Sequence, residues 1–170
     1  MSIRTLFINF KSDIKRRFQL ATRGYATIDS FNLHYWFSET VPKMILELRD
    51  NTLGMPCVKK FEEIENFPKE WVEEKLEEIR KINGEEYSDE HFENWQLILT
   101  RIAWCLSESE RDIENEYWEE YFKLTYEFGK ENSKLKKKWQ ERDLEISRYQ
   151  EACHKEGMYL FTKYFYNLWW

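Results

Sequence analysis

The sequence predicts an all-α protein, an irregular bundle of four to six helices. Of its 170 residues only five are glycine and three are proline, so residues that break helices are rare. Charged residues make up 34% of the chain and aromatic residues 18%, which favours helices with polar outer faces and bulky buried rings. Apolar residues recur at intervals of three and four, and no long segment has the period of two that is typical of strands. The length suits a single helical domain over residues 1–170.

The first element predicted is a basic amphipathic segment at residues 1–23. Its apolar residues follow helical spacing, and basic residues occupy much of the remaining surface. Four of them are candidates for contact with nucleic acid or a membrane surface: Lys11, Lys15, Arg16 and Arg17. A docked helix with a solvated cationic face is the simpler interpretation, and an arm that binds a membrane surface or a polyanion is the alternative.

The second predicted helix covers residues 28–50 and packs centrally in the bundle. Its apolar residues are too widely distributed for one stripe, so we expect burial on most sides. Pro42 lies inside the helix and predicts a kink, because proline removes a backbone hydrogen bond and clashes with the preceding turn. A polar group on such a helix needs a partner or a pocket. We therefore consider both a satisfied core histidine and a binding site for a ligand or partner at His34, Tyr35, Trp36 and Glu39.

Two amphipathic helices are predicted next. The first begins near residues 66–68, where Pro68 marks a helix start, and it ends at Asn83 and Gly84. The second opens with Ser88 as the expected N-cap. Its apolar residues give the cleanest helical pattern in the chain: Phe92, Trp95, Leu99, Ile102 and Leu106. The acid-rich residues 107–116 predict a turn or a short break.

The C-terminal part of the chain is predicted to contain a bridge and a docked helix. Residues 130–142 form a Lys-rich bridging stretch, either a solvated helix or a loop between two helices. The last helix would place Leu160, Phe161, Tyr164, Phe165 and Leu168 on one face. Docking this face removes much apolar area from water, so we expect it to fill the core. Trp169 and Trp170 are candidates for contact with a partner.

The residues that carry chemistry are scattered, and we predict no catalytic residue, metal site or cofactor. Glu151 and His154 have the spacing of a di-metal motif, but only half of that pattern is present. The cysteines lie far apart in the sequence, at Cys57, Cys105 and Cys153. No two of them have the short spacing that is typical of zinc ligands. No glycine-rich phosphate loop occurs. An enzyme whose site is assembled from scattered residues stays an open alternative.

The net charge and the spacing of the cysteines indicate the cellular compartment in which the protein works. The formal net charge of −6 argues against general affinity for nucleic acid, except through residues 1–23. Three cysteines without close spacing fit a reducing environment better than a disulfide framework. We find neither a signal-peptide pattern nor an apolar stretch long enough for a membrane span. We therefore expect a cytoplasmic protein.

Two segments resemble landmarks of an uncharacterised family of small tailed-bacteriophage proteins. Residues 157–170, GMYLFTKYFYNLWW, are similar to the family's GLxLFxKYFxxLW-like C-terminus. Residues 24–48, GYATIDSFNLHYWFSETVPKMILEL, resemble its segment with a GY turn, an aromatic-x-Leu-Asp element and a proline-containing helix. Phe31 and His34 depart from the tryptophan and aspartate typical of the family. The resemblance implies a phage gene product that works inside a bacterial cell, and the family supplies no activity to carry over.

These observations favour a non-enzymatic binding protein. Its expected partner is a host protein or a small host signal, and binding would counter bacterial defence. One alternative is a nucleic-acid or membrane-surface accessory that uses the basic N-terminal segment. Another is a minor component of the virion.

Overall fold

The structure, a computed structural model, describes residues 14–22, 32–52, 54–57, 60–84, 89–129 and 132–168. These residues form six α-helices: α1 (residues 14–22), α2 (Leu33–Asn51), α3 (Lys69–Asn83), α4 (Glu90–Glu108), α5 (Trp118–Phe122) and α6 (Ser133–Tyr164). Shorter helical turns are two 3₁₀ turns, Glu62–Asn66 and Phe165–Asn167, and a π turn, Lys123–Glu127. No strand occurs in the described ranges, and the prediction of an all-α bundle is confirmed.

The chain divides into two compact units, residues 1–40 and 41–170, and the boundary falls within α2. The described part of the first unit consists of α1 and the beginning of α2, where the Trp36 amide donates to the Asn32 carbonyl at 3.0 Å. The second unit contains the remaining helices and the buried core. A single domain over residues 1–170, with a segment boundary at residue 23, stays a prediction.

Helix α2 buries one stripe instead of most of its surface. Its buried residues are Pro42, Ile45 and Arg49, which lie on one face, and the helix continues through Pro42. The expectation of burial on most sides is wrong, because Tyr35 and Met44 remain more than half exposed. The apolar content of this helix exceeds the area that its neighbours cover. The predicted start at residue 28 lies outside the described residues.

Local signals set the ends of α3 and α4. Pro68 precedes α3, and Gly84 ends it with a φ of 77°, while its amide donates to the Arg80 carbonyl. Only glycine adopts this left-handed region at little cost. The N-cap of α4 is Asp89, whose carboxylate accepts from the His91 amide at 2.8 Å and the Phe92 amide at 3.3 Å. Ser88, predicted as the cap, lies one residue too early and outside the described residues.

Helix α4 is the most completely buried helix, so the centre of the bundle lies here and not at α2. The predicted stripe is confirmed at four positions with at most 1% exposure: Trp95, Leu99, Ile102 and Leu106. The opposite faces are covered too, because Leu97, Ile98 and Cys105 are fully buried. Helices α3 and α6 pack against α4, and α4–α6 is the most extensive pair. The C-terminal helix is therefore docked, as predicted.

The guanidinium of Arg101, on α4, connects three parts of the core. Its Nε and Nη2 atoms donate to the two carboxylate oxygens of Glu156, on α6, at 2.7 and 2.8 Å. The rings of Phe67, Trp71 and Trp104 surround it, with centroids 4.5–5.2 Å from the guanidinium carbon. Burial opposes the charged form, but the hydrogen bond and charge of Glu156 outweigh it, and the pKa of Arg101 is raised. The ion pair with Glu156 and the surrounding rings stabilise the charge of Arg101, a residue that is only 7% exposed.

Gly157 allows α4 and α6 to approach closely. A Cβ atom built at this position would lie 3.0 Å from the Cβ of Cys105 and 3.1–3.2 Å from atoms of Leu106. Such distances are shorter than ordinary van der Waals contact. The absence of a side chain at residue 157 therefore sets the spacing of the two helices.

The C-terminal rings divide between the core and the surface. Leu160 and Tyr164 are buried, and the Tyr164 hydroxyl donates to Glu63 at 2.8 Å. Glu63 also pairs with Lys163. The prediction that the whole face fills the core is wrong at Phe165, which is 53% exposed. Helix α6 ends at Tyr164 and a 3₁₀ turn follows, so the α-helical spacing that would turn Phe165 inward does not continue.

The Lys-rich stretch is helical where the structure describes it. Residues 133–142 form the first turns of α6, and the Asn132 side chain caps them by accepting from the Leu135 amide at 3.1 Å. Leu135 is buried, whereas Lys137 and Lys138 are exposed. Of the two alternatives left open by the sequence, the helix is the one observed.

We predict that Gly157→Ala destabilises the protein. Overpacking of a tight contact costs roughly 1–3 kcal/mol, and the better helix propensity of alanine returns about 1 kcal/mol. The expected net loss in the free energy of unfolding is up to about 2 kcal/mol in urea denaturation. Gly54→Ala is the control, because nothing lies within 4 Å of a Cβ atom there. A Gly157→Ala variant that is more stable than the wild type would contradict the close approach.

We also predict that ionisation of Tyr164 weakens the fold in alkali. Burial, aided by the charges of Tyr159 and Glu62, raises the pKa of Tyr164 to about 12. The folded state therefore favours the neutral phenol. The contribution of Tyr164 to the stability of the fold is complete below the ordinary tyrosine pKa of about 10, and it is lost as the pH rises through 12. Urea midpoints measured between these pH values should fall less steeply for Tyr164→Phe than for the wild type. Tyr126→Phe, which replaces a mostly exposed tyrosine, should retain the wild-type slope.

Candidate partner-binding surface

The predicted site on α2 is solvent-accessible. His34, Tyr35 and Glu39 are exposed, and Trp36 is half-buried. The rings of His34 and Tyr35 lie 4.0 Å apart. The interpretation of His34 as a core histidine is wrong, because the apolar residues around it in sequence do not enclose it. A binding role for these four residues stays a prediction. Trp169 and Trp170, the other predicted partner contacts, lie outside the described residues.

The predicted basic surface is described from residue 14 onward. Lys15, Arg16 and Arg17 are exposed on α1, and Lys11 lies outside the described residues. Ile14 and Phe18 are also exposed, at 52% and 67%. The described part of α1 therefore presents both basic and apolar side chains to solvent. Neither α1 nor any other described helix combines the length and apolarity needed to cross a membrane.

The reactive side chains do not form a recognisable catalytic or metal centre. No group of three or more histidine, cysteine or acidic residues within the described ranges has a geometry that could hold a metal ion. Cys105 and Cys153 are buried free thiols, and burial raises the pKa of both. The thiolate is the nucleophilic form, so burial makes these two cysteines less reactive. His154 of the half-motif is exposed.

Three neighbouring rings on α5 and the following π turn form what we call the aromatic ladder: Trp118, Phe122 and Tyr126. Their spacing of four residues places them on one side of the helix. The centroids of Trp118 and Phe122 lie 5.5 Å apart, and those of Phe122 and Tyr126 lie 4.8 Å apart. The three side chains are 47%, 43% and 68% exposed, respectively. Large rings are normally covered, so three in a row on the surface indicate an interaction site.

A second row of rings holds the ladder against α6. Tyr121 stacks on Trp139 with parallel planes and a centroid distance of 4.9 Å. Trp118 lies 6.1 Å from the same indole. The Asn115 side-chain amide donates to the Trp139 carbonyl at 3.0 Å, and the Lys138 ammonium lies 5.4 Å from the centre of the Tyr117 ring. These contacts fix α5 on a rigid helix, so the ladder is presented in a defined orientation.

An acidic edge, residues 108–120, leads along the chain into the aromatic ladder. Residues 108–120 contain seven acidic residues and one basic residue. Five of the acids are exposed and carry no ion pair in the described part of the chain: Glu110, Asp112, Glu114, Glu119 and Glu120. The segment is held on α6, because Tyr149 donates to Glu108 at 2.7 Å and the Gln150 amide donates to the Arg111 carbonyl at 2.8 Å. Burial and the hydrogen bond to Glu108 raise the pKa of Tyr149, which keeps this donor protonated.

Sequence reasoning missed the aromatic ladder. No function was assigned to residues 117–128 from the sequence. The spacing of Trp118, Phe122 and Tyr126 was visible, and Trp118 stands directly before two glutamates. Only the contact between Tyr121 and Trp139 decides which side of α5 faces inward and which remains exposed.

Comparison with protein-family models, curated proteins and solved structures gave no match for this chain.

Proposed function

We propose that the chain is a non-enzymatic binding protein that docks on another protein through the aromatic ladder. The observation that carries this proposal is a row of three rings in contact with one another, each more than 40% exposed, anchored to α6. Interface hot spots are enriched in tryptophan and tyrosine, because these side chains bury large apolar areas at low entropic cost. A preorganised row of rings also reduces the ordering cost of association.

The acidic edge defines the chemistry of the partner. The five exposed carboxylates of the acidic edge, which form no ion pair with other described residues, attract a protein surface that carries lysine or arginine. Arginine suits this position especially, since it can stack on a ring and pair with a carboxylate at the same time. The partner is therefore a protein with a basic, partly apolar face.

The resemblance to tailed-bacteriophage proteins supplies the biological setting of the proposal. A phage protein made in the infected bacterium would meet host proteins in the cytoplasm, and a host defence component is one such target. Burial and the raised pKa make Cys105 and Cys153 poor nucleophiles, so neither is a candidate for thiol catalysis.

We predict that removal of the ladder abolishes partner capture. The variant Trp118→Ala/Phe122→Ala/Tyr126→Ala removes all three rings of the ladder, while Tyr121 retains its contact with Trp139. Loss of two or three hot-spot rings costs about 2–4 kcal/mol each, so affinity should fall at least 100-fold. The measurement is affinity capture from bacterial host lysate with quantitative mass spectrometry, followed by titration with the purified partner.

The matched control removes the same number of exposed rings elsewhere. Tyr159→Ala/Phe165→Ala/Tyr166→Ala changes side chains at the end of α6 and beyond it. This variant should retain the partner. Glu119→Gln/Glu120→Gln should slow association and weaken its dependence on salt. Retention by the ladder variant together with loss by the control would contradict the proposal.

The exposed face of α1 favours a second candidate function, binding to an anionic membrane surface. Ile14 and Phe18 provide apolar contacts, and Lys15 and Arg17 provide charge. We expect the protein to sediment with vesicles that contain phosphatidylglycerol and less with neutral phosphatidylcholine vesicles. Phe18→Ser should reduce this sedimentation, and Leu144→Ser, which changes an exposed apolar residue of α6, should not. Equal binding of all three proteins would exclude α1 as the contact.

A further inference from the structure

Helix α1 carries the chemistry that suits a partner of the aromatic ladder. Residues 14–22 contain three basic residues and no acidic one, whereas residues 108–120 contain seven acidic residues and one basic residue. Lys15 and Arg17 are exposed and form no ion pair with other described residues. The chain therefore contains, in its own α1, a basic and partly apolar surface of the kind that the ladder and the acidic edge attract.

The exposed apolar side chains of α1 have the same spacing as the rings of the ladder. Ile14 and Phe18 lie four residues apart, and both are more than half exposed. Residues four apart lie on one face of an α-helix, about 6 Å apart along its axis. The Trp118 and Phe122 centroids have a similar separation, 5.5 Å. The two rows therefore have matching repeats and can pack ridge into groove.

Charged side chains flank both rows. On α1, Lys15 lies three residues before Phe18, and Arg17 lies three residues after Ile14. Residues three apart are neighbours on a helix surface, so both basic groups lie beside the apolar row. On α5, the exposed Glu119 lies three residues before the second ring of the ladder. Opposite charges thus flank the two apolar rows, and an arginine there can also stack on a ring.

The area available indicates how many contacts are needed. Three rings and two apolar side chains, each about half exposed, bury about 500 Å² when α1 packs on a ladder. Specific interfaces bury at least about 1,000 Å², so one such contact is too small for a stable complex. Two copies that each provide α1 and each receive it form two equivalent contacts, which together bury about 1,000 Å². The area therefore favours a symmetric pair.

We propose that two copies of the chain form a symmetric dimer in which α1 of each copy packs on the aromatic ladder of the other. The apolar row of α1 contacts the rings, and its Lys15 and Arg17 pair with carboxylates of the acidic edge. This dimer rests on the docking role proposed for the ladder and adds a regulation of it. An external partner must displace the second copy, because both bind the same rings.

The test is charge reversal in the full-length protein, followed by sedimentation velocity over a range of protein concentrations. The wild type should dimerise, and added salt should weaken the dimer. One variant, Lys15→Glu/Arg17→Glu, reverses α1, and another, Glu119→Lys/Glu120→Lys, reverses the ladder side. Each should weaken self-association at least about 10-fold, because like charges then face each other in both contacts.

A mixture of the two variants restores opposite charges in both contacts. The mixture should therefore form a heterodimer, although neither variant dimerises well alone. A chain that carries all four reversals should dimerise by itself. Such recovery distinguishes a lost contact from a variant that fails to fold. The control variant, Lys69→Glu/Lys81→Glu, reverses two exposed lysines of α3 and should leave the dimer unchanged.

Three results would overturn the dimer. A wild type that stays monomeric would do so, as would a dimer that neither reversal weakens. Weakening by both reversals without recovery in the mixture would place the contact elsewhere. These results come from the purified protein alone, whereas capture of another protein by the ladder is judged in lysate. Loss of the dimer with retained capture would therefore refute the second copy as the occupant and leave the proposed function standing.

Discussion

The buried guanidinium of Arg101 is the constraint on which the rest of the core depends. A charge in the interior is tolerated only when it is paired and hydrogen-bonded, and here Glu156 supplies both bonds of a planar fork. The rings of Phe67, Trp71 and Trp104 stack around the same plane. A lysine at this position would carry the charge, but its ammonium group could not both pair with the two carboxylate oxygens of Glu156 and lie flat against the rings. The position of α6 relative to α4, and of both relative to the start of α3, follows from this one group.

Other charged side chains extend the same arrangement outward from α4. Glu93, 3% exposed, is held by the fork of Arg80 on α3 at 2.8–2.9 Å. Arg49 brings the end of α2 to Thr100, and Glu63 joins the 3₁₀ turn to Tyr164. Each partner lies far along the chain, so the pairs select one alignment of the helices from the many that aromatic packing alone would allow. The aromatic ladder is held by elements aligned in this way.

The features that could be predicted from the sequence are those that depend on residues close together in the chain. The limits of α3 followed from Pro68 and Gly84, and the stripe of α4 followed from the spacing of Trp95, Leu99, Ile102 and Leu106. Burial was harder to predict, because it depends on neighbours that are distant in sequence. Tyr35 and Met44 have the same apolar character as residues of the core, yet both are more than half exposed. The pairing of Arg101 with Glu156, 55 residues away, leaves no local signal. The exposed ladder likewise depends on the face of α5 that Trp139 covers.

The three cysteines differ in accessibility in a way that is useful in the laboratory. Cys57 is exposed, whereas Cys105 and Cys153 are enclosed between α4 and α6 and are disfavoured as thiolates. An alkylating dye or spin label should therefore attach at a single position while the protein remains folded. That position lies in the connection between α2 and the 3₁₀ turn Glu62–Asn66. The native chain thus provides its own reporter site, without an engineered cysteine.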